Sequence, residues 1–434
     1  MNRAIISAAG CLFSLCSSGQ TVLFNGGTDI TVETGAIVYV NGDITNSSAG
    51  SIHNKGDIYL TRDWTNDAAS GCLDPTTGTV WLYGTAQTIK GTQSTTFNNV
   101  NCENGGTKTL NISTYVGGNT GVLQLKSSPF VLTSNTLFMT NPASGGITRT
   151  SGYIVSETDP TAGYGTLDWK IGNSTGNYVY PFGTTGGSYI PFVYTITTAG
   201  VQSTTGKIAV ATYPTNVTAS PNNRPLPSGV TNLTDLSTST EAGPVCADRY
   251  WPITAFNYMT QPTANVTFTY QDAEWNTSGG STNTIVEDSL RAWNWSGGQW
   301  QLPSVGSVNT TANTVNVTGV TSISFPWTLL GDEPLPPPPP VPCGDFFLPN
   351  AFSPNGDLKN DVFKPRNNCI KDISIKIYNR WGNLVFETTD ITKGWDGSTP
   401  KGKDGNEGVY AYEVKATLND GTIKDLKGTV TLMK

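Results

Sequence analysis

Apolar residues in the first third of the chain recur in short alternating runs: Ile37–Val40, Ile58–Leu60, Val80–Leu82, Val100–Cys102, Val122–Leu125 and Leu137–Met139. Alternation at a period of two marks strands with one buried face. Between the runs lie Gly, Asn, Thr and Ser, and the beat is close to twenty residues. The block Val40–Asn46 (VNGDITN) returns twenty residues later as Leu60–Asn66 (LTRDWTN). A repeat that keeps residue identity as well as polarity predicts a parallel β-solenoid over 20–144, in which each coil covers the next. Asn46 and Asn66 are placed to start an internal asparagine ladder. The competing reading is an antiparallel sandwich, with strands every ~8–12 residues.

From 145 to 333 the repeat fades. Tyr178–Phe182, Phe192–Thr197, Lys207–Tyr213, Val266–Tyr270, Leu290–Trp295, Thr314–Val317 and Ser322–Trp327 read as antiparallel strands between turns rich in Gly, Pro and Asn. No segment carries a helical period, so one or two β-sandwich modules are expected. Seven prolines in the nine residues 334–342 predict a polyproline II spacer of about 28 Å. The composition changes across it. Residues 1–342 hold 12 basic and 20 acidic side chains, and residues 343–434 hold 13 and 12.

The N-terminus reads as a signal peptide over 1–19. Arg3 is the positive start, Ala4–Cys16 the short apolar run, and Ser17 and Gly19 the small residues before a cut at Gln20. Cys11 after Ala8-Ala9-Gly10 resembles a lipoprotein box, but the apolar run before it is too short. No other stretch is long or apolar enough to span a bilayer. Five cysteines then remain, and two disulfides plus one thiol are the simplest arithmetic for an exported chain. Cys343–Cys369 is the favoured pair because both lie in one small module, and Cys72–Cys102 is the other candidate.

The 434 residues carry a net charge of −7 with only 13% charged side chains. That balance argues against a nucleic-acid binder working through a basic patch. The single histidine, His53, excludes sites that need two imidazoles.

The tail contains LPNAFSPNGD (348–357), Asn360-Asp361, Asn379-Arg380-Trp381-Gly382, Trp395-Asp396-Gly397, Gly408 with Tyr410, and a closing GTVTLMK. These blocks resemble the gliding motility-associated C-terminal domain, the type B sorting domain of proteins exported by the type IX secretion system of Bacteroidota. The resemblance covers 343–434 and implies an Ig-like β-sandwich that serves as an address. Its expected partners are the type IX machinery and an outer-membrane shuttle, and the expected location is secreted, extracellular or attached to the outer-membrane surface. Leu358 stands where that family usually has Gly. Independently, Gly382 and Gly397 suit turns that need positive φ. The blocks Gly91–Val100 and Tyr178–Gly183 more loosely resemble Bacteroidota surface proteins, with no activity to carry over.

Candidate chemistry is sparse. Asn355, Asp357, Asn360 and Asp361 offer four oxygen donors within seven residues, either a calcium site or an Asx-turn. Trp293, Trp295 and Trp300 are either a platform for stacking a sugar ring or core. Asp159 with Asp168, and Asp272 with Glu274, are carboxylate pairs outside any hydrolase motif. His53 has no recognisable nucleophile beside it. Asp288-Ser289-Leu290 fits a three-residue O-glycosylation pattern of Bacteroidota. The expectation is a non-enzymatic, all-β adhesin or structural protein of the cell surface or matrix, with a polysaccharide or a surface protein as partner. The alternative is a carbohydrate-binding protein or secreted carbohydrate-active enzyme using the tryptophans.

Overall fold

The computed structural model describes residues 3–6, 21–68, 73, 76–157, 163–215, 223–233, 243–276, 283–302, 306–332, 346–367, 369–402 and 405–433. The chain folds as two compact units, Met1–Pro334 and Leu335–Lys434. The bulk of the expected signal peptide (7–19) and the proline spacer lie outside the described residues. The backbone of Arg3–Ile6 pairs in parallel with Asp29–Val32.

The first unit opens with a parallel β-solenoid of three faces. One face stacks Thr21–Asn25, Gly42–Ser48, Trp64–Ala68, Gln87–Gly91, Lys108–Leu110, Pro129–Val131 and Tyr153–Val155. A second, six-stranded face stacks Ile37–Val40, Asp57–Leu60, Thr79–Leu82, Asn99–Cys102, Leu123–Leu125 and Ile147–Arg149. The third runs through Asp29–Val32 and Ser51–Asn54, and resumes with Thr96–Phe97, Thr114–Val116, Thr136–Met139 and Thr166–Trp169. The sequence repeat is the register itself, since Val40 pairs with Leu60 and Asn46 with Asn66.

Alternation drives this packing. Ile58 and Leu60 point inward while Asp57 and Tyr59 point out, and Ile44, Trp64 and Ile89 fill the axis beneath the first face. Each fully buried aliphatic side chain contributes roughly 1.5–3 kcal/mol. The asparagines form a ladder at one corner. Asn25 Nδ2 donates to Asn46 Oδ1 at 2.8 Å, and Asn46 Nδ2 donates to the Gly50 carbonyl at 2.9 Å. Asn66, fully buried below them, donates instead to the Ser94 carbonyl at 3.0 Å. The ladder thus begins one coil before Asn46.

The expected boundary at 144/145 is not a break. Parallel pairing continues to Thr166–Trp169, and there the partner on the far side, Val201–Val210, runs antiparallel. The same sheet extends through Cys246–Thr260, Pro326–Asp332, Val286–Ser296 and Gln299–Gln301. The repeat loses residue identity before 145, but backbone ladders need none. A second, antiparallel sheet holds Gly176–Tyr180, Phe192–Thr198, Thr263–Thr269, Thr314–Val320 and Ser307–Asn309. The two sheets meet where Phe268 packs 5.2 Å from Trp251 and 5.3 Å from Trp327, centroid to centroid.

The second unit is a five-stranded sheet in the order Ala351–Phe352, Ile423–Leu432, Gly408–Leu418, Ile370–Tyr378, Leu384–Thr388. Among the described residues its covering layer is not a second full sheet. It is made of loops joined by the bridges Phe363–Trp395 and Phe347–Arg366. Phe352, Phe363 and Trp395 fill the core between sheet and loops. Cys369 is disulfide-bonded, and its expected partner Cys343 lies outside the described residues. Cys102 is a free thiol buried in the solenoid, so the expected Cys72–Cys102 bridge is not formed, and Cys72 lies outside the described residues.

Candidate functional site

The tail residues singled out in the sequence converge on one end of the second unit. Asn379–Asn383 closes the hairpin between Ile370–Tyr378 and Leu384–Thr388. Asn379 accepts the backbone N–H groups of Trp381 and Asn383 on Oδ1, both at 3.0 Å, and its carbonyl accepts the Gly382 N–H at 2.9 Å. Gly382 takes φ +76° and Gly397 φ +85°, the left-handed conformation expected of both. The tight turn throws Trp381 outward, 78% exposed, with the Arg380 guanidinium 5.6 Å from its ring centroid. A cavity of about 210 Å³ opens beside it, lined by Asn379, Arg380, Trp381, Gly408 and Tyr410 among others.

Of the other signature residues, Gly408 and Tyr410 line this cavity and Trp395 packs against Tyr410. Trp395 is fully buried, donates from Nε1 to the Ser398 carbonyl at 2.7 Å, and meets Tyr410 edge to face at 4.7 Å. The Tyr410 hydroxyl donates to the Asn406 carbonyl at 2.8 Å. Asp396 accepts the Ser398 hydroxyl and backbone N–H, which hold its carboxyl below the usual range. Within the signature, Arg380, Trp381, Gly382 and Asp396 are exposed, whereas Trp395, Gly397 and Tyr410 are buried.

The proposed calcium donors are hydrogen-bonded within their own segment. Asp361 accepts the N–H of Gly356 on Oδ1 and of Leu358 on Oδ2, at 2.8 and 2.7 Å. Asn355 accepts the Asp357 N–H, Asp357 the Lys359 N–H, and Asn360 the Arg366 guanidinium. Asn355 and Asp357 each accept the N–H two residues on, which is the Asx-turn alternative.

The three tryptophans form no exposed platform. Trp300 is fully buried, Trp295 is 9% exposed, and Trp293 packs partly buried beside them. Alternation correctly puts Trp293 and Trp295 on one face, but that face is a core shared with Tyr213, Tyr250 and Leu330. Glu274 is also structural. It pairs with Arg249, whose guanidinium reaches Glu157 as well, and all three side chains are buried. Asp272 instead accepts from Asn313 at 2.9 Å. Asp168 is bound to Lys207 at 2.7 Å, and Asp159 lies outside the described residues. The Ser289 hydroxyl donates to the Val286 carbonyl and accepts the Asp332 N–H, an arrangement that ties it into the strand entry.

Two features escaped the sequence reading. Ser51 stands 3.2 Å from His53 Nε2, but it is held at 2.5 Å by Asp29. With serine between carboxylate and imidazole, the order differs from a triad, in which histidine stands in the middle. On the second solenoid face, register aligns Tyr39, Tyr59 and Trp81 in an outward row. Tyr59 and Trp81 stack at 4.9 Å with 9° between planes, Tyr83 meets Tyr59 edge on, and the Lys126 ammonium sits 4.4 Å from the Trp81 ring centroid. Coil stacking turns residues about twenty apart into neighbours, so this row is invisible until the register is known.

Residues 346–432 match the family model described as CHU_C Type IX secretion signal domain. No curated protein matches the chain. Among solved structures, the dimeric latent PorU from Porphyromonas gingivalis aligns with a TM-score of 0.14 and 12% identity, over 58% of this chain and 25% of that one. The chain thus spans a quarter of that protein's length. Among the described residues no helix is long and apolar enough to cross a membrane.

Proposed function

We propose, from the premise that residues 346–432 are a type IX secretion signal domain, that the first unit is its cargo: a non-enzymatic adhesin or structural protein of the cell surface or matrix. The tail supports handling by the type IX machinery and its outer-membrane shuttle, and with it secretion or display at the cell surface. The exposed Arg380-Trp381 turn is the element we assign to recognition by that machinery, since it presents the one large exposed ring of the signature, while Trp395 and Tyr410 are buried.

The observation that favours adhesion is the outward row Tyr39, Tyr59, Trp81. A solenoid offers a long regular face, and aromatic rings stacked along it give apolar contact area with polar edges, the surface character enriched at binding sites. Low charge suits contact with neutral polysaccharide or protein surfaces.

The test is adhesion by type IX-competent cells expressing the full chain, its 346–432 deletion, and Tyr59→Ser/Trp81→Ser. The deletion should keep the protein inside the outer membrane and abolish attachment to polysaccharide- or protein-coated surfaces. The double substitution should be exported normally and attach poorly. Normal attachment by the double variant refutes the assignment of the row.

A further inference from the structure

A second surface of the first unit carries a different chemistry. On the outer face of the long sheet, Phe138, Asp168, Ala209 and Thr254 follow one another across four neighbouring strands. Lys207 and Phe256 form the pair next along the strands. Ala209 is the small member of this array. Flanked by Phe138, Tyr164 and Phe256, it leaves a cavity of about 390 Å³ with a floor of sheet and walls of rings. That is within the ~300–1,000 Å³ range of small-molecule sites.

The polar groups of this cavity are paired but not exhausted. The Lys207 ammonium binds Asp168 Oδ2 at 2.7 Å and lies 5.4 Å from the ring centroids of both Phe138 and Phe256. Asp168 is only 4% exposed, yet its Oδ1 has no hydrogen-bond partner among the described residues. A buried carboxylate oxygen left unpaired is costly, and Asp168 lines the open cavity. Burial also pushes its carboxyl above the usual range, against the pull of Lys207.

We infer that this cavity binds one ring of a neutral saccharide. The site carries one ammonium donor over a buried carboxylate, and their charges cancel. An anion would meet Asp168 and a cation would meet Lys207, so a neutral polyol is the matching class. Sugar hydroxyls accept from the partly exposed Lys207 ammonium, which Asp168 holds in place from below, its own Oδ1 being closed to solvent. The apolar face of the pyranose packs on Phe138 or Phe256, of which Phe256 is 43% exposed. Phe138 continues outward into Tyr115, stacked at 4.4 Å with 12° between planes, which extends the platform for a following ring. This inference stands apart from the Tyr39–Tyr59–Trp81 row and survives if that row proves inert.

The experiment is calorimetric titration of the full chain with cellohexaose, mannohexaose and xylohexaose, with gelatin as the polypeptide control. At least one hexasaccharide should bind. Phe256→Ala and Asp168→Asn should each weaken it roughly tenfold or more, the scale of one lost contact to a charged or aromatic group. Phe256→Ala guards against misfolding, because an exposed ring can be removed without opening the core. Tyr59→Ser/Trp81→Ser should leave the affinity unchanged. No binding by any of the three sugars overturns the inference. So does sugar binding that both groove variants retain, or groove-dependent binding of gelatin alone.

Discussion

Arg249 grips one oxygen of Glu274 twice, with Nε at 2.7 Å and Nη2 at 2.6 Å from Oε1, and turns Nη1 to Glu157 at 3.1 Å. Glu157 in turn accepts the Thr185 N–H, and Glu274 the Gln271 N–H. The cation on the strand Cys246–Thr260 thus ties two further segments of the first unit, at Glu157 and at Glu274, to a buried point. Arg249→Met strips it from two buried carboxylates and should cost about 3–5 kcal/mol, read as a fall in the urea midpoint of the full chain. A loss under about 1 kcal/mol, the scale of a surface pair, would rule out this buried clasp.

Lys108 is buried in the solenoid, where its ammonium donates to the carbonyls of Gly84 and Gly105. Burial lowers its pKa from 10.5 to about 8. Above pH 8 the folded chain therefore holds fewer protons at this site than the unfolded chain, and stability rises with pH toward 10.5. The neighbouring Cys102 thiol, pushed up to about 12 by burial, stays protonated throughout. Denaturation midpoints taken between pH 7 and pH 9.5 should climb in the native chain relative to Lys108→Met. Parallel curves would show that the ammonium is not desolvated.

Leu358 sits at φ +67° and 94% exposed, in the loop position where the family pattern has Gly. A branched side chain gains nothing there and meets the steric cost of left-handed backbone, roughly 1–2 kcal/mol. Leu358→Gly should raise the stability of the second unit by about 1 kcal/mol once the added freedom of the unfolded chain is offset. Thermal melts of the pair decide it, and an unchanged or lower midpoint counts against the strain.

Trp381 and Trp395 belong to one signature but should fail differently. Trp395→Ala empties the core of the second unit at about 3–5 kcal/mol, and export should fall because the domain unfolds. Trp381→Ala touches no core and should change stability by less than about 0.5 kcal/mol, yet reduce export. Near-native secretion of Trp381→Ala in type IX-competent cells would remove the exposed turn from the recognition surface.

The parts legible in the sequence were those written in local pattern. The solenoid was readable because Val40–Asn46 repeats in the register in which it stacks. The tail was readable because its blocks are contiguous and ordered. What escaped depends on partners far apart in sequence. Alternation gave Trp293 and Trp295 a common face, but only the packing of Tyr213, Tyr250 and Leu330 makes that face interior. The 15-residue strand Cys246–Thr260 went unseen because its far half, TAFNYMT, is largely solvent-facing and carries no clean apolar/polar alternation. The Asp168–Lys207 pair joins strands 39 residues apart, and the Arg249 clasp draws on three segments. Asn355 to Asp361 carry oxygen donors, but the turns that Asn355 and Asp357 make with the N–H groups of Asp357 and Lys359 are not visible in composition.

The passage from parallel to antiparallel pairing at Thr166–Trp169 makes the solenoid a ruler fixed at one end. Coils can be duplicated or deleted upstream of the last ones as whole units, each altering the reach by about 4.8 Å. The saccharide groove is built on those last coils and the strands that follow, and the secretion signal comes later in the chain. Relatives of different length should therefore differ by multiples of some twenty residues, and keep the same tools on a longer or shorter handle.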